Sequence, residues 1–453
     1  MRTVILSDTH LGNGGPYDIF AGGKELPALL DSFTQQPTRV VLNGDTFDFL
    51  LNDDPLELDV SQAVRQAAAL VAHPPTAAVM AALGRILEAR GEVLIVVGNH
   101  DLELTLPQVQ VLIRNALQQP EPVARRLSFP AATDPLLLSV GGARILVTHG
   151  EQADTANRVD HRALHARLVA PSMPFRYPPG SVLVKALLNP LKVRERMRYM
   201  DLLKPDFEGA VLTALATNPA AVKVVMTPDI LRLVVRLIRN LWLPAAFSDD
   251  EEPSELEGLR QRLSEADLTQ QEAQELADFL EDSGPTSFGE DDALDGTRVK
   301  LVRAGLKMYA SLHRQWVGQK SEDYFALAPE DNELQKARQL AREHGASAVV
   351  IGHTHSARWH EEPGCVFANT GTWIWLMRMP ALEASDEEWR DFLIELQDNP
   401  SLEERHQRHV KLEPRFTAVV VEPDPSGGAT MRLAEWRDGQ LHPLSQATLP
   451  SRT

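Results

Sequence analysis

The sequence predicts an α/β sandwich: two mixed sheets with helices outside, carrying a large helical cap insertion. Three observations carry this expectation. Short apolar runs alternate with helical patterns from Arg2 to Gln118, the arrangement of strands covered by helices. From Pro135 hairpin signals replace that alternation. Between Glu151 and Glu343 the periodicity is helical with few strand candidates, and strands resume at Ala346. The expected organisation is a core first part at 1–150, a helical cap insertion with acidic loops at 151–343, and a core second part at 344–453 ending in a hairpin.

Arg2 to Ser7 is the first strand, followed at once by Asp8, Thr9 and His10. A Gly/Pro-rich loop, Gly12 to Gly23, leads into a helical pattern at Glu25 to Gln36. Arg39 to Leu42 is the second strand and runs into Asn43, Gly44, Asp45 and Asp48. Leu56 to Arg90 reads as two helices broken at Pro74-Pro75, since proline ends a helix before itself. Val93 to Val97 are consecutive apolar residues, as expected of a strand buried on both faces. Gly98, Asn99, His100 and Asp101 follow it, and Thr105 to Gln118 is helical. Leu136 to Val140 and Ala143 to Thr148 flank Gly141-Gly142, a two-residue hairpin signal, and the second of them ends at His149-Gly150. Ala346 to Ile351 precedes Gly352-His353-Thr354-His355, and Cys365 to Asn369 precedes Thr370-Gly371-Thr372. Asp386 to Gln397 is helical; Phe416 to Glu422 and Thr430 to Trp436 close the chain as a hairpin.

With 453 residues, the chain exceeds one ordinary core. The formal charge of −18 disfavours broad nucleic-acid binding, which works by neutralising phosphates. The single cysteine, Cys365, leaves no internal disulfide and no multi-thiolate zinc site. The N-terminus lacks the apolar core of a secretory signal, and no uncharged apolar stretch approaches the roughly 18 residues that span a bilayer. A cytoplasmic location is the expectation.

Each of five polar motifs follows a strand: Asp8-Thr9-His10, Gly44-Asp45 with Asp48, Gly98-Asn99-His100-Asp101, His149-Gly150, and Gly352-His353-Thr354-His355. Ligands bind at such strand ends in α/β sheets. In extended backbone, residues i and i+2 share a side, so Asp-x-His and His-x-His would each aim two ligands at one locus. Carboxylates, an amide and several imidazoles exceed the needs of one tetrahedral ion. They suit two ions sharing a carboxylate, about 3.5–4 Å apart in two-metal hydrolases. Imidazoles argue against magnesium and calcium, and the mixed N/O set suits manganese, iron, zinc or nickel.

In order and content these motifs resemble the calcineurin-like metallophosphoesterase family, over roughly Met1 to Gly150 and Ala346 to Thr372. The resemblance implies a four-layer α-β-β-α sandwich and a dinuclear-metal hydrolase of phosphoester or pyrophosphate bonds. It implies that Asp8, His10 and His355 bind one ion, that Asn99, His149 and His353 bind a second, and that Asp45 bridges them. It further implies that His100 protonates the leaving oxygen while Asp101 holds its ring. Two transition-metal ions, manganese foremost, would neutralise charge building on phosphorus and lower the pKa of a bridging water, giving hydroxide for in-line attack.

Singly, these residues have plainer readings. Asp8 suits a turn, Asn43-Gly44-Asp45 is ordinary turn chemistry, and His149 suits a core imidazole. Asp48 either orients a ligand or caps a helix, and Asn369 either braces the site or closes a tight turn. His161 and His165 in HRALH read as a solvated cap face, without the glutamate of a metalloprotease motif. Arg158 and Arg162 stand near enough in sequence to contact substrate phosphate. Pro228 to Trp242 places Arg232, Arg236 and Arg239 on one stripe. A helix packed in the cap is the first reading, and a lipid-facing helix giving peripheral membrane contact is the second.

Leu11-Gly12, His149-Gly150-Glu151 and Asn369-Thr370-Gly371-Thr372-Trp373 are similar to the branch containing UDP-2,3-diacylglucosamine pyrophosphohydrolases. That resemblance implies a small, lipid-linked or nucleotide-linked substrate. The alternatives are a nuclease of the DNA-repair type, against which the acidic charge argues, and a metal-binding scaffold whose cap recruits a protein partner.

Overall fold

The computed structural model describes residues 1–202, 326–380, 385–402 and 408–451, save for 131–133, 155, 171, 195, 330, 379 and 426 within them. Two compact units are distinguished: Met1–Lys185 with Asp323–Trp375 and Pro414–Thr453, and Ala186–Glu322 with Leu376–Glu413.

The larger unit holds two mixed sheets. In the first, β1 (Arg2–Leu6), β2 (Thr38–Asn43), β3 (Glu92–Val96) and the short β4 (Leu127–Ser128) run parallel. The second contains the hairpin β5 (Leu136–Val140) and β6 (Ala143–Val147). Parallel to β6 lie β7 (Ala348–Ile351) and then β9 (Cys365–Thr370), with β8 (Ala357–Glu362) antiparallel at the edge. On the other side of β1, the first sheet continues antiparallel through β12 (Thr417–Pro423), β13 (Ala429–Arg437) and β14 (Gln440–Leu449). The Val, Ile and Leu runs form these strands because both faces are covered. Ile5, Val41, Ile145, Val350, Val419 and Leu433 meet in one cluster between the sheets.

Alternate residues Val4, Leu6, Val40, Leu42, Val93 and Ile95 face outward. They pack against α1 (Glu25–Asp31), α2 (Val60–Ala72), α3 (Pro74–Glu88), α4 (Pro107–Ala116) and the short α5 (Glu121–Ala124). Beyond β6 come α6 (His161–Val169), α7 (Pro179–Leu183) and, in the smaller unit, α8 (Asn189–Arg194). On the outer face of the second sheet, Leu146, Val349 and Phe367 pack against Leu334, Ala337 and Ala341 of α9 (Asp331–His344). The layers are therefore α-β-β-α, as the resemblance implied.

In the smaller unit, α10 (Asp386–Asp398) is capped by Ser385, whose hydroxyl accepts from Glu388 N at 3.2 Å. It buries Trp389, Phe392, Leu393 and Leu396. A two-stranded ribbon pairs β10 (Trp375–Arg378) with β11 (Lys411–Pro414). The arginine stripe at Pro228 to Trp242 and the acidic stretches at Ser248 to Pro253 and Glu281 to Gly296 lie outside the described residues.

Several expectations change. The helix expected to reach Gln36 stops at Asp31, where Ser32 and Thr34 turn their hydroxyls onto the carbonyls of Leu29 and Asp31, competing with helical bonding. The closing hairpin is a three-stranded meander, because β14 follows it; its Pro443 sits on an outermost strand, where proline is tolerated. At the β5–β6 turn, Gly141 and Gly142 adopt φ of 56° and 85°, as a two-residue hairpin requires.

Candidate metal centre

Parallel register brings the motif-bearing strand ends into line. Leu6 pairs with Leu42 and Asn43 with Val96 in the first sheet, and Val147 pairs with Val350 in the second. The loops beyond are then tied backbone to backbone. Asp8 N donates to Gly44 O at 3.1 Å, His10 N to Asp45 O at 2.9 Å, Phe49 N to His100 O at 3.1 Å and Gly352 N to His149 O at 2.8 Å. Two motif glycines are steric necessities. A Cβ on Gly98 would sit 2.2 Å from Asp45 Oδ1, and one on Gly44, whose φ is +84°, would sit 2.3 Å from His149 Nδ1.

The Asp-x-His and His-x-His segments are not extended. Asp8, His10, Asp45, His353 and His355 take φ of 51°, 45°, 48°, 71° and 59°. Such left-handed backbone costs about 1–3 kcal/mol per residue and concentrates at functional sites. It also changes the aim of each pair. Asp8 and His10 do converge, in a group with His355, but His353 joins Asp45 and His149 instead. Within each group, one ligand atom per residue lies within 4.8 Å of the others.

Hydrogen bonds decide which ring nitrogen each histidine can offer. His149 Nδ1 lies 2.9 Å from Asn43 O, which leaves Nε2, 3.3 Å from Asp45 Oδ2. His10 Nδ1 lies 2.8 Å from Asp48 Oδ2, so its Nε2 faces His355 Nε2 at 3.1 Å. Asp8 Oδ1 is 3.3 Å from that same His355 nitrogen. Lone pairs so gathered repel unless a proton or cation lies between them.

The buried Asn99 Oδ1 and His149 Nε2 have no hydrogen-bond partner among the described residues. Ligand atoms at about 2.0–2.2 Å from an ion stand roughly 3.0–3.5 Å from one another, the spacing of the His10–His355, His355–Asp8 and His149–Asp45 pairs. The donor set and its orphaned atoms therefore fit transition-metal ions. Electrostatics agree. Burial alone would raise the Asp45 carboxyl, but His149, His100 and His10 hold it well below the carboxylate range. Burial would likewise lower His149, yet Asp45 and then Asp8 hold it well above the imidazole range. A pocket that retains a proton so firmly also attracts a cation to the same nitrogen.

His10, Asp48 and His100 form a further group, but here hydrogen bonds suffice. Asp48 Oδ2 lies 2.8 Å from His10 Nδ1 and 3.1 Å from His100 Nδ1, while its other oxygen accepts from Leu50 N. Asp48 is thus an orienting group; the helix cap of α2 is Asp59. This corrects the role expected of Asp101. Its buried carboxylate accepts from Gly98 N at 2.6 Å and Thr46 N at 2.7 Å, stapling two motif loops together, and the carboxylate on the His100 ring is Asp48. Burial, then the charge of Asp45, pushes the Asp101 carboxyl up to about 8; cations held at Asp45 would offset the second of these causes.

Asn369 does both things expected of it. Its amide donates to Gly352 O and Thr354 Oγ1 at 2.9 Å, and its oxygen accepts from Gly371 N. Arg158, Arg162 and His165 are exposed. His161 is not on a solvated face: its Nε2 lies 2.9 Å from the buried Glu151. Asp154, which carries no motif, lies 2.9 Å from His353 Nε2. Nothing in the local sequence marks it, since a lone aspartate in a polar loop is commonplace.

Glu103, buried in the turn after Asp101, accepts from the Tyr177 hydroxyl at 2.8 Å. Burial pushes its carboxyl up to about 7 from an ordinary 4.5. A carboxyl raised on folding contributes stability below its unfolded value and loses it as pH rises through the folded one. Stability should therefore fall between roughly pH 4.5 and 7, by an amount on the order of 3 kcal/mol. Glu103→Gln is expected to remove that loss and to raise the unfolding midpoint above wild type at pH 8. Thermal unfolding at stepped pH checks this; an unchanged slope would show that Glu103 is not its source.

The calcineurin-like phosphoesterase family model matches residues 1–173. The matched span carries Asp8 to His149 and ends before His353 and His355. No curated protein matches the chain.

Proposed function

Residues 1–173 are a calcineurin-like phosphoesterase domain, which makes this chain a metallophosphoesterase, and from that premise we propose that it uses two transition-metal ions to cleave a small, lipid-linked or nucleotide-linked phosphoester or pyrophosphate. One observation carries the two-ion reading. Asp8, His10 and His355 converge on one side, and Asp45, His149 and His353 on the other, all on loops tied to one another. Asn99, with its orphaned oxygen, completes the second group. When bound, the ions supply Lewis-acid polarisation of the phosphoryl group and an acidified water as nucleophile.

The remaining work falls to side chains. Asp45 offers one oxygen toward His149 and anchors His100 N with the other at 2.8 Å. His100 would protonate the leaving oxygen. Its ring stands 4.8 Å from that of His10, edge to face, and Asp48 fixes its Nδ1. Asp48 couples a metal ligand to the proton donor through one oxygen.

The acidic balance of the chain supports a small substrate over duplex DNA. The test is a panel of monoester, diester, nucleotide-sugar pyrophosphate and DNA, run on metal-stripped protein restored with manganese, iron or zinc. Restored hydrolysis of bis-p-nitrophenyl phosphate and of the pyrophosphate, without any partner protein, is expected. Degradation of duplex DNA at physiological salt would overturn the substrate class. Failure of every ion to restore hydrolysis would favour a scaffold.

A further inference from the structure

Asn99 and His353 follow strands of different sheets, yet a short stretch of chain just beyond His149 reaches both. Asp154 Oδ2 lies 2.9 Å from His353 Nε2 and accepts from Asn157 Nδ2 at 2.7 Å. Asp154 Oδ1 accepts from Ala156 N at 2.8 Å, which fixes the carboxylate. Asn157 Oδ1 in turn accepts from Asn99 Nδ2 at 3.5 Å. The contacts run from His353 through Asp154 and Asn157 to Asn99.

Each end of this chain of contacts resolves an ambiguity. An asparagine amide presents either oxygen or nitrogen to its surroundings, and only oxygen ligates a cation. With Nδ2 drawn to Asn157, Asn99 turns its oxygen inward, and that buried oxygen has no hydrogen-bond partner among the described residues. An imidazole ligates through either nitrogen. With Nε2–H held by a carboxylate, the lone pair of His353 is on Nδ1. A carboxylate behind a ligating histidine also raises the basicity of the ring.

We propose that Asp154 and Asn157 are positioning residues that select the ligating atoms of His353 and Asn99 for the second ion. The proposal rests on the two-ion reading above. A neighbouring helix supports the bridge from outside: Gly180 N, in α7, donates to Ala156 O at 2.8 Å, and a Cβ on Gly180 would stand 2.1 Å from Asn157 Oδ1. Any side chain at 180 must displace the Asn157 amide.

The experiment measures manganese stoichiometry and affinity on the full chain, by elemental analysis and competition with a chromophoric chelator. Wild type should bind two ions. Asp154→Ala should keep one at wild-type affinity and weaken the other about 10–100-fold, the usual loss on removing a ligand's supporting partner. Asp154→Asn, whose amide oxygen still accepts from Nε2–H, should recover most of that loss. Gly180→Ala should weaken the same ion while leaving Asp154 in place. A general structural defect would instead weaken both ions, without rescue by asparagine, and would overturn the proposal. So would wild-type affinity for both ions in Asp154→Ala and Gly180→Ala. Fewer than two ions on wild type would overturn the two-ion reading itself, and the bridge with it.

Discussion

Asp45→Ala is expected to lose its metal and its activity together. The Asp45 side chain is buried, one oxygen holding His100 N and the other 3.3 Å from His149 Nε2. Removing it deletes the anion that holds His149 well above the imidazole range and leaves buried imidazoles without a counter-charge, which is costly. A carboxylate shared by two ions should weaken both when lost, and activity should fall about 10³-fold or more. Asp45→Asn separates shape from charge: it keeps the acceptor for His100 N, so fold should survive while ion affinity drops. Metal per chain and turnover of bis-p-nitrophenyl phosphate read out both variants. Two ions retained in Asp45→Ala would count against the bridging role.

His100→Ala should behave in the opposite way, keeping both ions while losing most turnover. The ring belongs to neither of the two groups assigned to the ions, and Asp48 holds it from the side of Nδ1. A general acid contributes about 10²–10⁴-fold, so a loss of that size is expected on a substrate whose leaving alkoxide needs a proton. The loss should shrink on p-nitrophenyl esters, since a nitrophenolate departs without one. Comparing the two leaving groups at fixed metal content checks the assignment. An equal deficit on both would mean that His100 acts on the phosphoryl group instead.

Strands β1, β2, β3, β6 and β7 are legible in the sequence because each holds a short apolar run that leads within two residues to Gly, Asp, Asn or His. Strand β8, ARWHEE, is not, because it pairs only with β9 and its residues from Trp359 onward are half-buried or exposed; an edge strand needs no apolar run. β14 hides for the same reason and through Pro443. The candidate ligands can be read from the motifs, but their conformation cannot. The left-handed φ at Asp8, His10, Asp45, His353 and His355 is imposed by loops that bond across the sheet ends, a tertiary effect without local signature. The partner of His100 is likewise a matter of three-dimensional reach. Asp101 is its neighbour in sequence, yet backbone amides claim that carboxylate, and Asp48 arrives from another loop.

The place of β1 has a consequence for how the protein is made. Its parallel partner β2 follows within one helix, but its antiparallel partner β12 begins only at Thr417. Roughly 400 residues separate the two, and at about 5–20 residues per second a ribosome needs some 20–80 s to deliver them. Throughout that interval the nascent chain presents an apolar strand with one unpaired edge, the kind of template on which other chains add. His353 and His355 also emerge late, so the N-terminal segment holds an incomplete set of the candidate ligands for most of its synthesis. Chains released before Thr417 should therefore be aggregation-prone however sound their first 173 residues.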